Sequence, residues 1–353
     1  MVDSIDALLK QRRVVITSGT GGVGKTTVSA ALGLHAATQG RSVLVITIDP
    51  AKRLKTSLGV SHIGNDPIEL TDKIKSDAPV KGRFYAVVPD TRETFRQMVE
   101  ELSPSQDKAN AMIENPIFQI IAKEFSGANE YMALQKLGSV IDDPRFDLII
   151  LDTPPSRNTI AFLNAPRVLG RFFDEKIFQL MIRPTQNLLS KGLKVALDLL
   201  SKLTGQHFMT HLMSFLVSLF ELQDRFTEKL SKMNALLSSS ELGFILVTAP
   251  SPSTIPDIND FTKLLDQRDY HFDGIILNRT LGFIQDSEFE PKTEGEKKGF
   301  AIIKSYLSRE KKITDKINSE LKNENRHFVK LPELSRDVHS LGELAYVAHF
   351  FNP

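Results

Sequence analysis

Seven short apolar runs are spaced along the chain between stretches of helical periodicity. Most of these runs are continuously apolar rather than alternating, which is typical of strands buried on both faces of a parallel sheet. The segments between them carry apolar residues at helical spacing, as βαβ units require. The predicted strands are residues 14–18, 43–49, 84–89, 148–152, 244–249, 274–278 and 328–331. The pattern predicts an α/β fold with a mostly parallel sheet of roughly seven strands covered by helices.

One long stretch lacks this alternation. Between residues 166 and 241 there is no strand pattern, and Leu, Phe, Met and Lys recur at helical spacing. We interpret it as a helical insertion subdomain between two halves of one sheet domain, residues 1–165 and 242–353. Its apolar stripe is compatible with internal packing, with a dimer interface or with a groove for a hydrophobic client. A second stretch, residues 285–298, is charged, contains Gly and Pro, and predicts a mobile loop.

Composition narrows the classes of function. The chain has 353 residues, of which 41% are hydrophobic and 25% charged, and this balance suits a folded globular protein. A formal net charge of +1 gives no support for nucleic acid as a partner. The absence of cysteine excludes disulfides, thiolate nucleophiles, Fe–S clusters and thiolate zinc sites. The N-terminus does not resemble a signal peptide and the longest apolar run is too short to span a membrane, so we expect a cytoplasmic protein.

Residues 19–26 match the phosphate-loop pattern G-x-x-x-x-G-K-[ST] at every position. The motif follows the first predicted strand and opens a helix, which is the context that it requires. Its glycines allow successive backbone N–H groups to point at phosphate oxygens, and the helix N-terminus adds partial positive charge. We expect Lys25 to reach the β- and γ-phosphates of a nucleotide, and the hydroxyl of Thr26 to bind Mg²⁺.

Two aspartates lie where predicted strands end. Asp152 follows the run LIIL, the usual position of an acid that holds Mg²⁺ directly or through water in a phosphate-loop protein. Asp49 follows ITI and precedes a proline. Because open parallel sheets bind ligands at the carboxyl ends of their strands, both are candidates for the site. The alternative for Asp152 is a helix cap, and for Asp49 a turn.

Five motifs in this order, GGVGKTT, TIDPAKRL, LDTPPSRN, VTAP and ILNR, resemble the ArsA family of ATPases. That family includes the arsenite-pump ATPase and the Get-pathway ATPase that targets tail-anchored membrane proteins, and it groups with the MinD and ParA proteins. The resemblance covers almost the whole chain and is weakest in the helical insertion. It implies ATP or ADP with Mg²⁺ as ligands, and hydrolysis of ATP to ADP and phosphate.

The resemblance also implies roles for single residues. Asp49 matches the switch I aspartate that positions the attacking water. Asp152 and Thr153, with Pro154 and Pro155, match switch II, which senses the γ-phosphate. Lys25, Asp49 and Asp152 are thus the predicted catalytic residues, and Thr26 and Asp152 are the predicted Mg²⁺ ligands.

Nucleotide contacts follow from the same resemblance. Asn278 matches the asparagine that reads adenine, and Pro332 and Glu333 fall where the final loop packs on the base. The alternative for Asn278 is a loop residue at a strand end. The residues that would cradle the phosphates and Mg²⁺ are Gly21, Gly22, Val23, Gly24, Lys25, Thr26 and Thr27.

Position 20 departs from the pattern of the wider group to which the ArsA, MinD and ParA proteins belong. The signature lysine of the group stands just before the two glycines and reaches across a dimer to the phosphates of the partner, but this chain has Thr20 there. Either hydrolysis is slow, or another cation such as Lys52 or Arg53 does the work, or a paralogous subunit supplies it. Without cysteine, a zinc-clasped dimer and a thiolate arsenite site are also excluded.

The leading hypothesis is an ATPase that couples Mg-ATP hydrolysis to a conformational switch or to dimerisation acting on a partner protein. It would form a homo- or hetero-oligomer with an ArsA-like subunit, with a hydrophobic protein as a candidate client, free in the cytoplasm or peripheral to the membrane. The alternative is a nucleotide-gated scaffold or client-binding subunit that hydrolyses little and works with a paralogous partner. A small-molecule kinase is disfavoured, because the apolar, Lys-dominated insertion lacks the arginines of a kinase lid.

Overall fold

A computed structural model describes residues 5–47, 64–74, 79–124, 129–153, 206–281, 290–321, 326–335 and 337–352. The strands in these ranges are β1 Val14–Ser18, β2 Ser42–Thr47, β3 Ile68–Glu69, β4 Arg83–Val87, β5 Leu148–Asp152, β6 Leu242–Thr248, β7 Phe272–Thr280 and β8 His327–Pro332. The helices are α1 Ile5–Gln11, α2 Lys25–Thr38, α3 Thr91–Leu102, α4 Gln106–Ile113, α5 Pro116–Glu124, α6 Asn129–Val140, α7 Gln206–Glu221, α8 Gln223–Leu237, α9 Thr254–Asp266, α10 Glu294–Leu321 and α11 Leu341–His349, with a 3₁₀ turn at Thr71–Lys73.

All eight strands form one sheet in the order β3-β4-β2-β5-β1-β6-β7-β8. Every neighbouring pair is parallel except β3 with β4, which is antiparallel. The α/β fold class and the seven predicted strands are confirmed. The apolar pattern did not predict β3, because a strand of two residues is too short to show a period.

The strands in the middle of the sheet are formed by the continuous apolar runs of the sequence. Every residue of β1, β5 and β6 is buried, as expected of strands covered by helices on both faces. Helix α2 packs closely on the sheet at Gly33, where an added Cβ would lie 2.7 Å from Val45 Cγ2. The helix ends at Thr38, and Gly40 follows with φ +101°, the left-handed conformation in which a glycine commonly ends a helix.

The chain divides into two compact units. Unit 1 contains residues 1–88, 139–160 and 236–353, and unit 2 contains residues 89–138 and 161–235. Unit 2 therefore begins earlier in the chain than the predicted insertion of residues 166–241, because α3 to α6 group with α7 and α8. Much of the predicted insertion, residues 166–205, lies outside the described residues.

Unit 2 is built around an apolar cluster contributed by α3 to α8. Phe215 of α7 and Phe226 of α8 are buried with apolar residues of the helices that precede β5. Asn115 donates to the carbonyl of His211 and to Ser214 Oγ, each at 2.9 Å. Part of the apolar stripe of the predicted insertion therefore serves internal packing.

The predicted loop of residues 285–298 is wrong over its last five residues, because α10 begins at Glu294. Residues 282–289 lie outside the described residues. Thr293 Oγ1 accepts from the backbone N–H of Glu296, and the carboxylate of Glu296 accepts from the N–H groups of Lys292 and Thr293. This reciprocal capping box satisfies the first N–H groups of the helix, and its T-x-x-E spacing was visible in the sequence.

Candidate nucleotide site

The phosphate loop lies between β1 and α2, as its motif predicts. Gly22 and Gly24 have φ values of +82° and +86°, the left-handed region that favours glycine. Space is also tight at two positions, because an added Cβ would lie 2.0 Å from Val247 O at Gly19 and 2.5 Å from Asn278 Nδ2 at Gly24. No side chain caps the start of α2 at Gly24, so its first N–H groups face the loop.

Lys25 begins α2 and is 8% exposed. Its ammonium donates to the carbonyl of Thr20 at 3.1 Å, so the side chain lies along the loop that it is predicted to serve. Gly21 and Gly22 are exposed, which leaves this side of the loop open to a ligand. Thr27 is half-buried in the first turn of α2.

Asp152 ends β5 and is the centre of a buried polar cluster. Its side chain is 1% exposed, and its Oδ2 accepts from Thr26 Oγ1 at 2.6 Å and from Thr47 Oγ1 at 2.8 Å. Ser29 Oγ lies 3.5 Å from Oδ1 and 2.6 Å from Thr17 Oγ1. The structure thus joins the two predicted Mg²⁺ ligands, Thr26 and Asp152, and surrounds the carboxylate with hydroxyls.

Sequence reasoning missed Thr17, Ser29 and Thr47, which complete this cluster. All three are fully buried. Thr17 and Thr47 stand at the carboxyl ends of apolar strands, and a hydroxyl in such a place is a signal that could have identified them. Thr153 also turns inward, where its Oγ1 and N–H donate to the carbonyl of Thr17 at 2.8 and 3.2 Å.

Asn278 lies near the end of β7, where the pairing with β8 is irregular between Leu277 and Thr280. Its Nδ2 donates to the carbonyl of Val23 at 2.8 Å, which joins the predicted base-reading residue directly to the phosphate loop. A carbonyl neighbour admits only the NH₂ group, so Oδ1 must point elsewhere. The next residue, Arg279, has φ +61°.

Pro332 and Glu333 lie beside the end of β7. Pro332 pairs with Thr280, and the N–H of Glu333 donates to the carbonyl of Thr280 at 2.9 Å. The carboxylate of Glu333 lies 3.7 Å from Arg279 Nε. The carboxyl ends of β7 and β8 therefore bring these residues to the strand that carries Asn278.

Other predicted residues lie outside the described residues. They are Asp49, Lys52 and Arg53 beyond β2, and Pro154 and Pro155 beyond β5. Their roles stay predictions. Thr20 is described, and its backbone carbonyl accepts the hydrogen bond from Lys25.

The oxygen atoms at this site fit Mg²⁺. A hydroxyl and a carboxylate are hard oxygen donors, and they meet at 2.6 Å beside the phosphate loop. Among the described residues there is no cluster of three or more His, Cys, Asp or Glu suited to hold a metal. The site therefore fits a cation that takes its remaining ligands from nucleotide phosphates and water.

The described helices include none that is both long and apolar enough to cross a bilayer.

Comparison with known proteins agrees with the geometry. A putative arsenical pump-driving ATPase 2 from Aquifex aeolicus is 24% identical over 336 residues, which is 92% of this chain and 98% of that protein. ATPase GET3 from Malassezia globosa is 25% identical over 201 residues, and ATPase get3 from Schizosaccharomyces japonicus is 30% identical over 170 residues. The aligned region covers only about half of each of these two relatives, 56% and 49%.

A sequence profile of the anion-transporting ATPase family matches residues 12–352, nearly the full chain. The match includes the phosphate loop, the strand ends that carry Asp152 and Asn278, and both parts of unit 2. The chain therefore belongs to the anion-transporting ATPase family, the ArsA family that its five motifs resemble.

Proposed function

We propose that this chain hydrolyses Mg-ATP and uses the reaction to drive a conformational switch or dimerisation that acts on a partner protein. The observation that carries the proposal is the 2.6 Å hydrogen bond between Thr26 and the buried carboxylate of Asp152, directly beside an open phosphate loop. Family membership supports a nucleotide and Mg²⁺ as ligands.

Each described residue has a defined task in this proposal. The backbone N–H groups of the phosphate loop and the Lys25 ammonium bind the β- and γ-phosphates. Thr26 donates its hydroxyl hydrogen bond to Asp152, which would leave the oxygen lone pairs of Thr26 available to a cation. Mg²⁺, when bound, neutralises charge on the phosphate oxygens. Asn278, held by Val23, keeps one N–H and Oδ1 for a base that offers both an acceptor and a donor, as adenine does.

Asp49 would orient the attacking water. It follows Thr47 by two residues, and Thr47 contacts Asp152, so β2 leads the chain from the Mg²⁺ site toward Asp49. A carboxylate at this point can polarise a water for in-line attack. The chain after Thr153 would respond to the γ-phosphate, because Thr153 is bonded to β1 beside the phosphate loop.

The partner and the place of action are further parts of the proposal. We infer a homo- or hetero-oligomer with an ArsA-like subunit, acting in the cytoplasm or at the membrane surface. Exposed apolar side chains in unit 2, Ile120 at 55%, Val217 at 46% and Phe220 at 41%, support a hydrophobic protein as client.

A second candidate function is a nucleotide-gated scaffold with little hydrolysis of its own. Thr20 supports it, because a neutral side chain stands where the signature lysine would supply transition-state charge. In that case a paralogous subunit would provide the cation.

The test is steady-state ATP hydrolysis by the purified full chain with Mg²⁺, beside its mass in solution with ADP and with a non-hydrolysable ATP analogue. Asp49→Asn should bind ATP normally and lose turnover by roughly 100-fold or more. Asp266→Asn, an exposed aspartate at the end of α9, is the matched control and should behave as wild type. Full turnover in Asp49→Asn would reject its role, and tight binding without turnover in wild type would favour the scaffold.

A further inference from the structure

Thr47 is a fully buried residue at the carboxyl end of β2, and it opens the motif TIDPAKRL, in which only later residues have been given a role. Thr47 pairs in register with Asp152 on the neighbouring strand, and its Oγ1 donates to Asp152 Oδ2 at 2.8 Å. The same carboxylate oxygen accepts from Thr26 at 2.6 Å. One oxygen of a buried anion is therefore held by two hydroxyls from two different elements, β2 and α2.

This double donation defines the direction of the Thr26 hydroxyl. A hydroxyl has one proton and two lone pairs, so Thr26 can bind a cation well only while its proton is committed elsewhere. Asp152 is the acceptor of that proton. Hydrogen bonds to an ionised acceptor are stronger than neutral ones, so the Thr47 donor restrains the carboxylate where Thr26 meets it.

Packing alone does not account for a threonine at this position. The rest of β2 reads SVLVI, and a valine would fill nearly the same volume beside Asp152. The hydroxyl is the group that distinguishes Thr47 from valine, and the structure uses it on the carboxylate. Outer-shell partners of this kind commonly tune metal sites.

We propose that Thr47 is a positioning residue for the Mg²⁺ site: it orients Asp152, which in turn presents Thr26 to the cation, and it connects the end of β2 to that site. The inference rests on the proposed function, since it needs a Mg-nucleotide as ligand. It adds a determinant of Mg²⁺ affinity that touches neither the cation nor the nucleotide.

The test compares Thr47→Val, which removes the hydroxyl at constant volume, with Thr47→Ser, which retains it. Thr248→Val is the matched control, because Thr248 is also buried at the carboxyl end of a strand, β6, which β1 separates from β5. ADP binding is measured by calorimetry over a Mg²⁺ series and in EDTA, with hydrolysis at saturating ATP over the same series.

Thr47→Val should raise the half-saturating Mg²⁺ concentration about tenfold, the lower end of the usual effect of losing an outer-shell partner. Binding of ADP in EDTA should stay within about twofold, because the phosphate loop is untouched. Thr47→Ser should restore the wild-type Mg²⁺ response, and Thr248→Val should not change it. If Thr47→Val does not fold, Thr47→Ala removes the same hydroxyl without added bulk and should give the same shift.

A folded Thr47→Val or Thr47→Ala protein with the wild-type Mg²⁺ response would overturn the proposal and leave Thr47 a packing residue. The same conclusion follows if Thr47→Ser and Thr47→Val are equally impaired. Failure of the wild-type chain to bind ADP in either condition would instead reject the proposed function, and this inference with it.

Discussion

Polar groups are held differently at the amino edge of the sheet in unit 1, where its parallel strands begin, and at the carboxyl edge, where these strands end. At the amino edge, Arg12 donates to both oxygens of Asp273, at 2.9 and 2.6 Å, with exposures of 17% and 9%. At the carboxyl edge, the carboxylate of Asp152 is held by the neutral hydroxyls of Thr26 and Thr47. The carboxylate of Asp273 is therefore paired with a charged side chain, whereas the carboxylate of Asp152 is held by hydroxyls.

The amino edge is closed by arginines. Arg41 donates to the carbonyls of Leu9, Arg12 and Asp147. Burial lowers the pKa of its guanidinium, and the nearby Asp147 opposes that shift. Because these donors have acceptors within the chain, we expect the arginines of the amino edge to contribute to stability.

The carboxyl edge is arranged for a ligand that carries charge of its own. The exposed glycines of the phosphate loop and the ammonium of Lys25 lie at this edge, and the hydroxyls of Thr26 and Thr47 donate to the carboxylate of Asp152. Buried polar groups therefore indicate a functional site when no charged side chain of the protein already neutralises them. Their number matters less.

The largest expected effect comes from removing one cationic side chain at each edge of the sheet. Lys25→Met should weaken ATP binding by roughly 100-fold or more while the protein stays folded, because a phosphate partner is lost. Arg12→Met should lower the free energy of unfolding by about 2–4 kcal/mol, because Asp273 loses its partner, and should leave ATP affinity of the folded protein unchanged. Urea unfolding measures the stability of both variants, and calorimetry measures their affinity for ATP. A loss of ATP affinity in Arg12→Met together with a loss of stability in Lys25→Met would contradict the comparison.

The next effect tests how tightly the amino edge is packed. An added Cβ at Gly243 would lie 1.5 Å from Asp273 Oδ2 and 3.0 Å from Arg12 Nε, so Gly243→Ala must displace the ion pair. We expect a loss of about 2–3 kcal/mol in unfolding free energy with normal ATP turnover. Gly299→Ala in α10 meets nothing within 4 Å and should be neutral or stabilising in the same urea titration.

A smaller effect separates two glycines of the phosphate loop. Both have positive φ, but only Gly24 would place a Cβ against Asn278. Without nucleotide, Gly22→Ala should cost about 1–2 kcal/mol for its backbone, and Gly24→Ala about 1 kcal/mol more. In a double-mutant cycle Asn278→Ala should recover that excess in the Gly24 variant only. Equal costs for the two glycines would show that Asn278 does not restrict the loop.

The smallest effect comes from an exposed ion pair in unit 2. Arg96 contacts Glu93 at 2.6 Å, and this hydrogen bond lowers the pKa of Glu93 below its ordinary 4.5. A lowered folded-state pKa stabilises the fold above about pH 4.5, and the gain is lost as pH falls through the folded pKa.

Arg96→Gln should therefore return the pKa of Glu93 toward 4.5, as NMR titration would detect. The cost should be well under 1 kcal/mol near pH 6 and vanish near pH 3, because the two side chains are 37% and 40% exposed. If Arg96→Gln lowered the free energy of unfolding as much as Arg12→Met, exposure would not explain why the Arg12–Asp273 pair contributes more to stability.

Much of unit 1 was predictable because its signals are local. Continuous apolar runs encode strands buried on both faces, and glycine spacing before a lysine encodes the phosphate loop. Asp152 could be proposed for the site because an acid that ends an apolar run in a phosphate-loop protein usually holds Mg²⁺. The T-x-x-E box at Thr293 was equally local, so including residues 294–298 in the predicted loop was an error of interpretation rather than a limit of the sequence.

Local sequence by itself thus determined the strands and the phosphate loop, and it marked Lys25, Thr26 and Asp152 as candidates for the site. Only the tertiary structure decided that Thr47 meets Asp152 across 105 residues and that Asn278 meets Val23 across 255. It also decided that residues 89–138 join α7 and α8 in unit 2. The physical reason is that periodicity records which side of an element is buried, whereas the neighbours of a side chain depend on the strand order β2-β5-β1 and on which helices share a core.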